Sequence, residues 1–196
     1  SAPMVPRISA STLALAASTY FLAAVDRSAV SGVYFPSTTL PFREKQQAAF
    51  IARALDLRAD IDTLDFSGTL RAGAGALLAA THAVLADPAK RILVVASDTR
   101  LAAPRSPLEA NTGDAAAAFL IGSGDVLAVV RDTVAQVDEI YDVWRGEHDD
   151  YLRAWEDRFN VMHGYTDNVL AACRALLAKT GTDAADYTRA IFAGPD

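Results

Sequence analysis

The 196 residues have room for one ordinary domain, and 52% hydrophobic against 21% charged side chains is the balance of a chain that buries a core, which argues against disorder. Eighteen Lys and Arg against 24 Asp and Glu leave a net charge of -6 with no basic cluster, so nucleic-acid phosphates find no electrostatic footprint. The longest apolar stretch, Leu13 to Val25, is interrupted by Ser18, Thr19 and Tyr20 and falls short of the ~20 residues that span a bilayer, so no membrane crossing is expected.

In chain order, Ser1 to Ile8 carries one Arg and two Pro and does not read as a signal peptide. Leu13, Ala16, Ala17, Tyr20, Phe21 and Ala24 recur at helical spacing and predict a helix from 9 to 25, capped by Ser9 or Ser11. Gly32 to Phe35 predicts a strand, Phe42 to Leu55 a helix, Ile61 to Phe66 a strand, and Leu70 to Leu85 a long Ala/Leu helix that stops near Asp87-Pro88. The continuous apolar run Ile92 to Ala96, inside the stretch from Arg91 to Ser97, predicts a strand covered on both faces, with a Pro-containing loop from Leu101 to Pro107 after it. Ala115 to Ile121 and Val126 to Gln136 both read as strands across the short turn Gly122-Ser123-Gly124-Asp125, predicting a hairpin and a mixed sheet. Asp149 to Arg158 and Asp167 to Lys179 read as helices, the second ending at Gly181, and Arg189 to Ala193 is a last apolar run. The order defines an α/β layered domain.

The groups able to carry chemistry are few. Gly68, Gly73 and Gly75 follow a strand and open a helix, but G-x4-G-x-G matches neither the dinucleotide fingerprint nor a P-loop, so close packing on the sheet outweighs phosphate binding by roughly three to one. His82 lies mid-helix, His148 in an acidic loop and His163 before Gly164, none with a Ser or Cys close in sequence; a pairing of Ser67 with His163 is left open. The single Cys173 excludes an internal disulfide, is expected to be buried on its helix, and with three scattered His implies no metal site, consistent with a reducing cytoplasm. Arg outnumbers Lys, which occurs only at Lys45, Lys90 and Lys179, and Ala is abundant, the usage of a GC-rich and bacterial coding sequence.

Several segments taken in order resemble the 3-hydroxy-3-methylglutaryl-CoA synthase branch of the thiolase superfamily. Val33 to Phe42 is similar to that family's strand and first active-site loop, Leu70 to Ala76 to the start of its nucleophile helix, and Val94 to Thr99 to the strand after it. Asp114 to Gly122 is similar to its Gly/Ala-rich strand, Gly113-Asp114 also to the Gly-Asp-Gly-Ala of ketoacyl synthase III, Tyr141 to Arg145 to an Asp-Phe-Trp-Arg element, and Ile191 to Asp196 to the Phe-His-Gln-Pro-Asp loop. The resemblance covers nearly the whole chain.

The resemblance implies a thiolase-like layered α/β fold in which residues 1–196 form the N-terminal half, with the second half outside this sequence. Met4 to Arg7 is similar to the end of the family's first strand, and residues are expected to be missing between Arg7 and Ser9. Family chemistry uses a Cys thiolate as acyl acceptor, a Glu as base and a His near the second thioester's carbonyl. Aligned without gaps, these fall on Leu70, Thr38 and Ala193, and a small gap would bring Ser67 to the Cys position. Leu, Thr and Ala cannot supply thiolate, carboxylate and imidazole, so the resemblance implies a non-catalytic or rewired acyl-CoA-handling subunit; the alternative is an active acyltransferase or C–C bond-forming or -cleaving enzyme using Ser67. Arg71, Gly113 and Asp114 are candidate coenzyme A contacts, with a CoA thioester as ligand and no covalent cofactor. The implied partners are an acyl-CoA and either a second copy or a thiolase, a zinc-ribbon/OB-fold acyl-CoA-binding protein, or both. A nicotinamide-dependent oxidoreductase rests on the misfit glycines alone.

Overall fold

The computed structural model describes residues 8–193 and divides them into two compact units, Ser1–Arg100 with Gly113–Val126, and Leu101–Thr112 with Leu127–Asp196. The similarity of Met4 to Arg7 to a first strand and the Gly194 to Asp196 end lie outside the described residues.

The first unit is a mixed four-stranded sheet between helices. Its elements are α1 (Ala10–Leu22), β1 (Gly32–Pro36), α2 (Gln47–Ala54), β2 (Asp62–Phe66), α3 (Ala72–Ala86), β3 (Ile92–Asp98) and β4 (Ala115–Ile121). The sheet order is β2-β1-β3-β4; β1 pairs in parallel with β2 and β3, and β4 runs antiparallel to β3 with Asp98 opposite Ala115. All five residues of β1 are buried, which explains its run of apolar side chains. Gly32 at its start gives room to its neighbours: a Cβ there would sit 2.7 Å from Ile92 Cδ1 and 3.3 Å from the Asp62 carbonyl, so a larger residue would have to displace the Ile92 side chain.

Successive side chains of each strand face opposite layers. Val33, Phe35, Leu93 and Val95 meet Ala10, Ala14 and Leu22 of α1 and Ala48, Ile51 and Ala52 of α2 in one core. Tyr34, Ile92 and Val94 meet Ala76, Ala80 and Val84 of α3 in a second, smaller core on the other face. Burying a side chain such as Phe35 or Ile51 contributes about 1.5–3 kcal/mol, so these clusters dominate the unit's stability. The buried polar atoms are tied as well: Ser11 Oγ donates to Gln47 Oε1 at 2.8 Å and Ser97 Oγ to the Ala10 carbonyl at 2.6 Å, joining α1 to α2 and to β3.

The second unit holds α4 (Pro107–Asn111), the two-residue strands β5 (Val143–Trp144) and β6 (Arg153–Ala154), α5 (Asp157–Phe159) running through a π-helical turn at Asn160–Thr166, and α6 (Asp167–Thr180). α6 ends at Gly181 in the left-handed conformation, as its sequence predicts. Leu152 is the buried apolar side chain of this unit, and neither core cluster includes a residue from it.

Four expectations are corrected. Residues 126–136 do not form a hairpin strand: β4 pairs with β3, and the segment is held instead by α6, with Lys179 Nζ bonding Asp132 at 3.1 Å and the Thr133 carbonyl at 3.0 Å. Of the helix expected over 149–158, residues 149–156 are not helical, because the backbone N–H groups of Leu152 and Trp155 donate to the carbonyls of Leu101 and Asp142 and residues 153–154 pair with 143–144; helix begins only at Asp157. α2 begins at Gln47 rather than Phe42, since the Asp65 carboxylate on β2 accepts the N–H groups of Gln47 at 2.6 Å and Ala48 at 2.7 Å and fixes the helix start there. Cys173 is half-buried rather than buried. The run Arg189 to Ala193 forms no regular element, with Ile191 and Phe192 exposed.

Candidate functional site

The carboxyl ends of β1, β2 and β3 lie together because these strands are parallel, and the start of antiparallel β4 joins them. Open α/β sheets place their ligands at this end. Six of the seven singled-out residues are here: Thr38 follows β1, Ser67, Leu70 and Arg71 follow β2, and Gly113 and Asp114 precede β4. Ala193 is exposed and belongs to the other unit.

The loop after β1 is fastened by one carboxylate. Asp98, the last residue of β3, accepts on a single oxygen from Ser37 Oγ at 3.0 Å, the Thr38 N–H at 2.7 Å, Thr38 Oγ1 at 3.0 Å and Thr39 Oγ1 at 2.8 Å. Thr39 Oγ1 also accepts the Thr99 N–H, and Ser37 Oγ the Thr39 N–H, so residues 37–39 are locked to the neighbouring strand. Thr38 therefore offers a hydroxyl already engaged with an acid. Sequence reasoning singled out neither Asp98 nor its partners Ser37 and Thr39. The available signal was a run of three hydroxyl residues leaving one buried strand and an acid ending the next.

Ser67 and Arg71 line one cleft of about 440 Å³ with Asp65, Phe66, Thr69 and the first turn of α3. The Arg71 N–H donates to Thr69 Oγ1 at 3.2 Å, and no side chain caps α3. The Ser67 hydroxyl has no hydrogen-bond partner among the described residues, so no base is bonded to it. Leu70 is 49% exposed at the helix entry. Asp65 faces the same cleft with both oxygens committed to the start of α2.

A second cleft of about 480 Å³ opens at the opposite end of the sheet, where Lys90 pairs with Asp62 at 2.8 Å and Arg58 with Asp60 at 3.0 Å. The hydrogen bond to Asp62 holds the Lys90 ammonium above its ordinary pKa, and burial pushes the Tyr34 phenol up. His82 and His148 are exposed, and His163 Nδ1 lies 3.2 Å from Asp167 Oδ2. Among the described residues no group of three or more His, Cys, Asp or Glu is placed to hold a metal ion, and no helix is long and apolar enough to cross a membrane.

No family model matches the chain. It is 31% identical over 171 residues, 87% of its length, to a hydroxymethylglutaryl-CoA synthase of Methanocella arvoryzae, and 30% identical over 176 residues to that of Pyrococcus horikoshii. Among solved structures, an HMG-CoA synthase complexed with CoA superposes with a TM-score of 0.84 at 20% identity, covering 91% of this chain and 46% of that one. MvaS in complex with 3-hydroxy-3-methylglutaryl coenzyme A gives 0.77 at 25% identity, over 95% of this chain and 45% of that one. A 3-oxoacyl-(acyl-carrier-protein) synthase III gives 0.68 at 19% identity, over 91% of this chain and 62% of that one. The chain spans about half the length of the curated relatives it matches. The mixed sheet packed between helices, shared with these structures, gives the chain a thiolase-like α/β fold. In sequence the chain is hydroxymethylglutaryl-CoA synthase-like.

Proposed function

We propose that the chain is an acyl-CoA-handling half of a thiolase-like assembly that binds CoA thioesters without taking the acyl group onto itself. One observation carries the reading: Leu70 and Arg71 lead into α3, Arg71 lining the cleft, and the chain's one thiol, Cys173, lies on α6 in the other unit. With Leu70, Thr38 and Ala193 at the positions matched to thiolate, carboxylate and imidazole, the surroundings of the family's site are kept while its reacting groups are replaced. Neighbours solved with CoA and with 3-hydroxy-3-methylglutaryl coenzyme A support a thioester ligand, for which Arg71, Gly113 and Asp114 are the candidate contacts. A cytoplasmic setting belongs to the same proposal, as does assembly with a second copy or with a thiolase, a zinc-ribbon/OB-fold acyl-CoA-binding partner, or both. Calorimetric titration with acetyl-CoA, paired with intact mass spectra, tests it: saturable binding with unchanged mass is expected, and no binding at millimolar ligand overturns it.

A second reading, an acyltransferase or C–C bond-forming enzyme acting through Ser67, is favoured by Ser67 and Arg71 sharing the cleft. Turnover of an acyl-CoA lost in Ser67→Ala would support it, and turnover unchanged by that substitution would remove it.

A further inference from the structure

The second unit exposes aromatic rings where the chain's charge is densest. Asp138 to Arg158 holds eight Asp and Glu against three Arg, so most of the net charge of -6 collects in that stretch. The hairpin of β5 and β6 folds it back on itself: Val143 pairs with Ala154 and Trp144 with Arg153, and beyond them the Trp155 N–H donates to the Asp142 carbonyl at 2.9 Å. That bond brings the residues before β5 and those after β6 to one end of the hairpin. Three rings there face water, Tyr141 at 63%, Trp155 at 60% and Phe159 at 49% exposure. Two of them are held by other rings, Tyr141 edge-on to Trp144 at 5.7 Å and Phe159 beside His163 at 5.0 Å. Asp138, Glu139, Asp142, Glu156 and Asp157 belong to the same end, all exposed, against Arg158. None of the five is paired with a cation among the described residues: Asp138 accepts from the Asn168 amide, Asp142 and Glu156 from nearby backbone N–H groups, and the side chains of Glu139 and Asp157 from nothing.

We propose that this end of the hairpin binds an arginine-bearing basic segment of another polypeptide. Charge complementarity selects that occupant. Carboxylates without cations make the potential over the rings negative and draw in positive groups. A guanidinium stacks flat on a Trp or Tyr face while its N–H groups reach the carboxylates beside it, which a compact ammonium does less well. The acids do not converge on a metal ion, since among the described residues no three such groups are placed to hold one. A second copy does not fit either, because the chain has no Lys/Arg cluster to present. Phosphates of nucleic acids and anionic lipid headgroups are repelled. Every residue of this surface belongs to the second unit, so the inference holds whether or not the first unit binds a CoA thioester.

Fluorescence anisotropy of a labelled Arg-Gly-Ser repeat peptide titrated with the 196-residue chain tests this, with circular dichroism melts confirming that each variant folds. Saturable binding is expected, several times tighter than that of the Lys-Gly-Ser counterpart. It should weaken at least tenfold between about 0.1 M and about 1 M salt, as the screening length falls from about 10 Å to about 3 Å. Trp155→Ala combined with Tyr141→Ala, and Glu139→Lys combined with Asp157→Lys, should each weaken it at least tenfold. Asp125→Lys, which reverses an exposed acid of the first unit, should change it less than about twofold. Absence of saturable binding overturns the proposal, as does equal affinity for the two peptides. Binding that survives loss of the two rings, or an Asp125→Lys effect as large as that of the Glu139 and Asp157 reversal, overturns it too, since either reports charge attraction without a site.

Discussion

The two units of this chain differ in where their order comes from. The first places Phe35, Ile51, Leu93 and Val95 in a continuous core and Tyr34, Ile92 and Val94 in another, so its strands and helices are fixed by burial. The second has Leu152 as its buried apolar side chain, and its path is fixed by polar contacts: Lys179 to Asp132, Asn168 to Asp138 and the Leu152 N–H to the Leu101 carbonyl. Surface contacts of this kind contribute little each, so the second unit is expected to open locally at lower free energy than the first.

Truncating the two units should separate them most clearly. Phe35→Ala is expected to cost about 3–5 kcal/mol of unfolding free energy, whereas Phe159→Ala, half exposed in the second unit, should cost under about 1 kcal/mol; urea denaturation measures both. Next in size is Asp98→Ala, which strips residues 37–39 of one shared acceptor and should cost about 2–3 kcal/mol, with Asp98→Asn recovering part of it because an acceptor oxygen remains. A loss no greater than that of an exposed Asp elsewhere would show that the loop is held by something else. Asp65→Ala removes the acceptor at the start of α2 and should cost about 1–2 kcal/mol, seen as faster amide exchange at Gln47 and Ala48.

The smallest effect lies in the second unit. The hydrogen bond from Arg153, helped by the Gly146 N–H, holds the Asp149 carboxyl below its ordinary value of 3.8. A carboxyl lowered on folding contributes stability that is present above its unfolded pKa and is lost as pH falls through the folded one. Asp149 should therefore titrate by NMR below an ordinary Asp, and Arg153→Ala should bring it back up with little change in melting temperature at neutral pH.

Apart from α6, whose span and Gly181 end its sequence predicts, the division between the units is also the division in what the sequence made legible. β1, β3 and α3 announce themselves because burial on both faces or along a stripe demands apolar residues at a fixed period, and each lies within two residues of its predicted span. Residues 126–136 carry the alternation of a strand, but alternation does not supply a partner, and the described residues offer them α6 instead of a ladder. Residues 149–158 look helical, yet two tertiary backbone bonds take their N–H groups elsewhere. At the candidate site, Thr38, Ser67, Leu70 and Arg71 could be singled out because their segments resemble those of the synthase family. The bonds from residues 37–39 to Asp98 could not, since they join positions about 60 apart that meet only when β1 pairs with β3.

The central claim, a CoA-thioester site without a covalent nucleophile, is tested most directly by intact mass spectrometry of the protein incubated with acetyl-CoA under conditions where calorimetry reports binding. The account predicts saturable binding and a mass equal to that of the untreated protein. An added acetyl mass, mapped by fragmentation to Ser67 or Cys173, would contradict it.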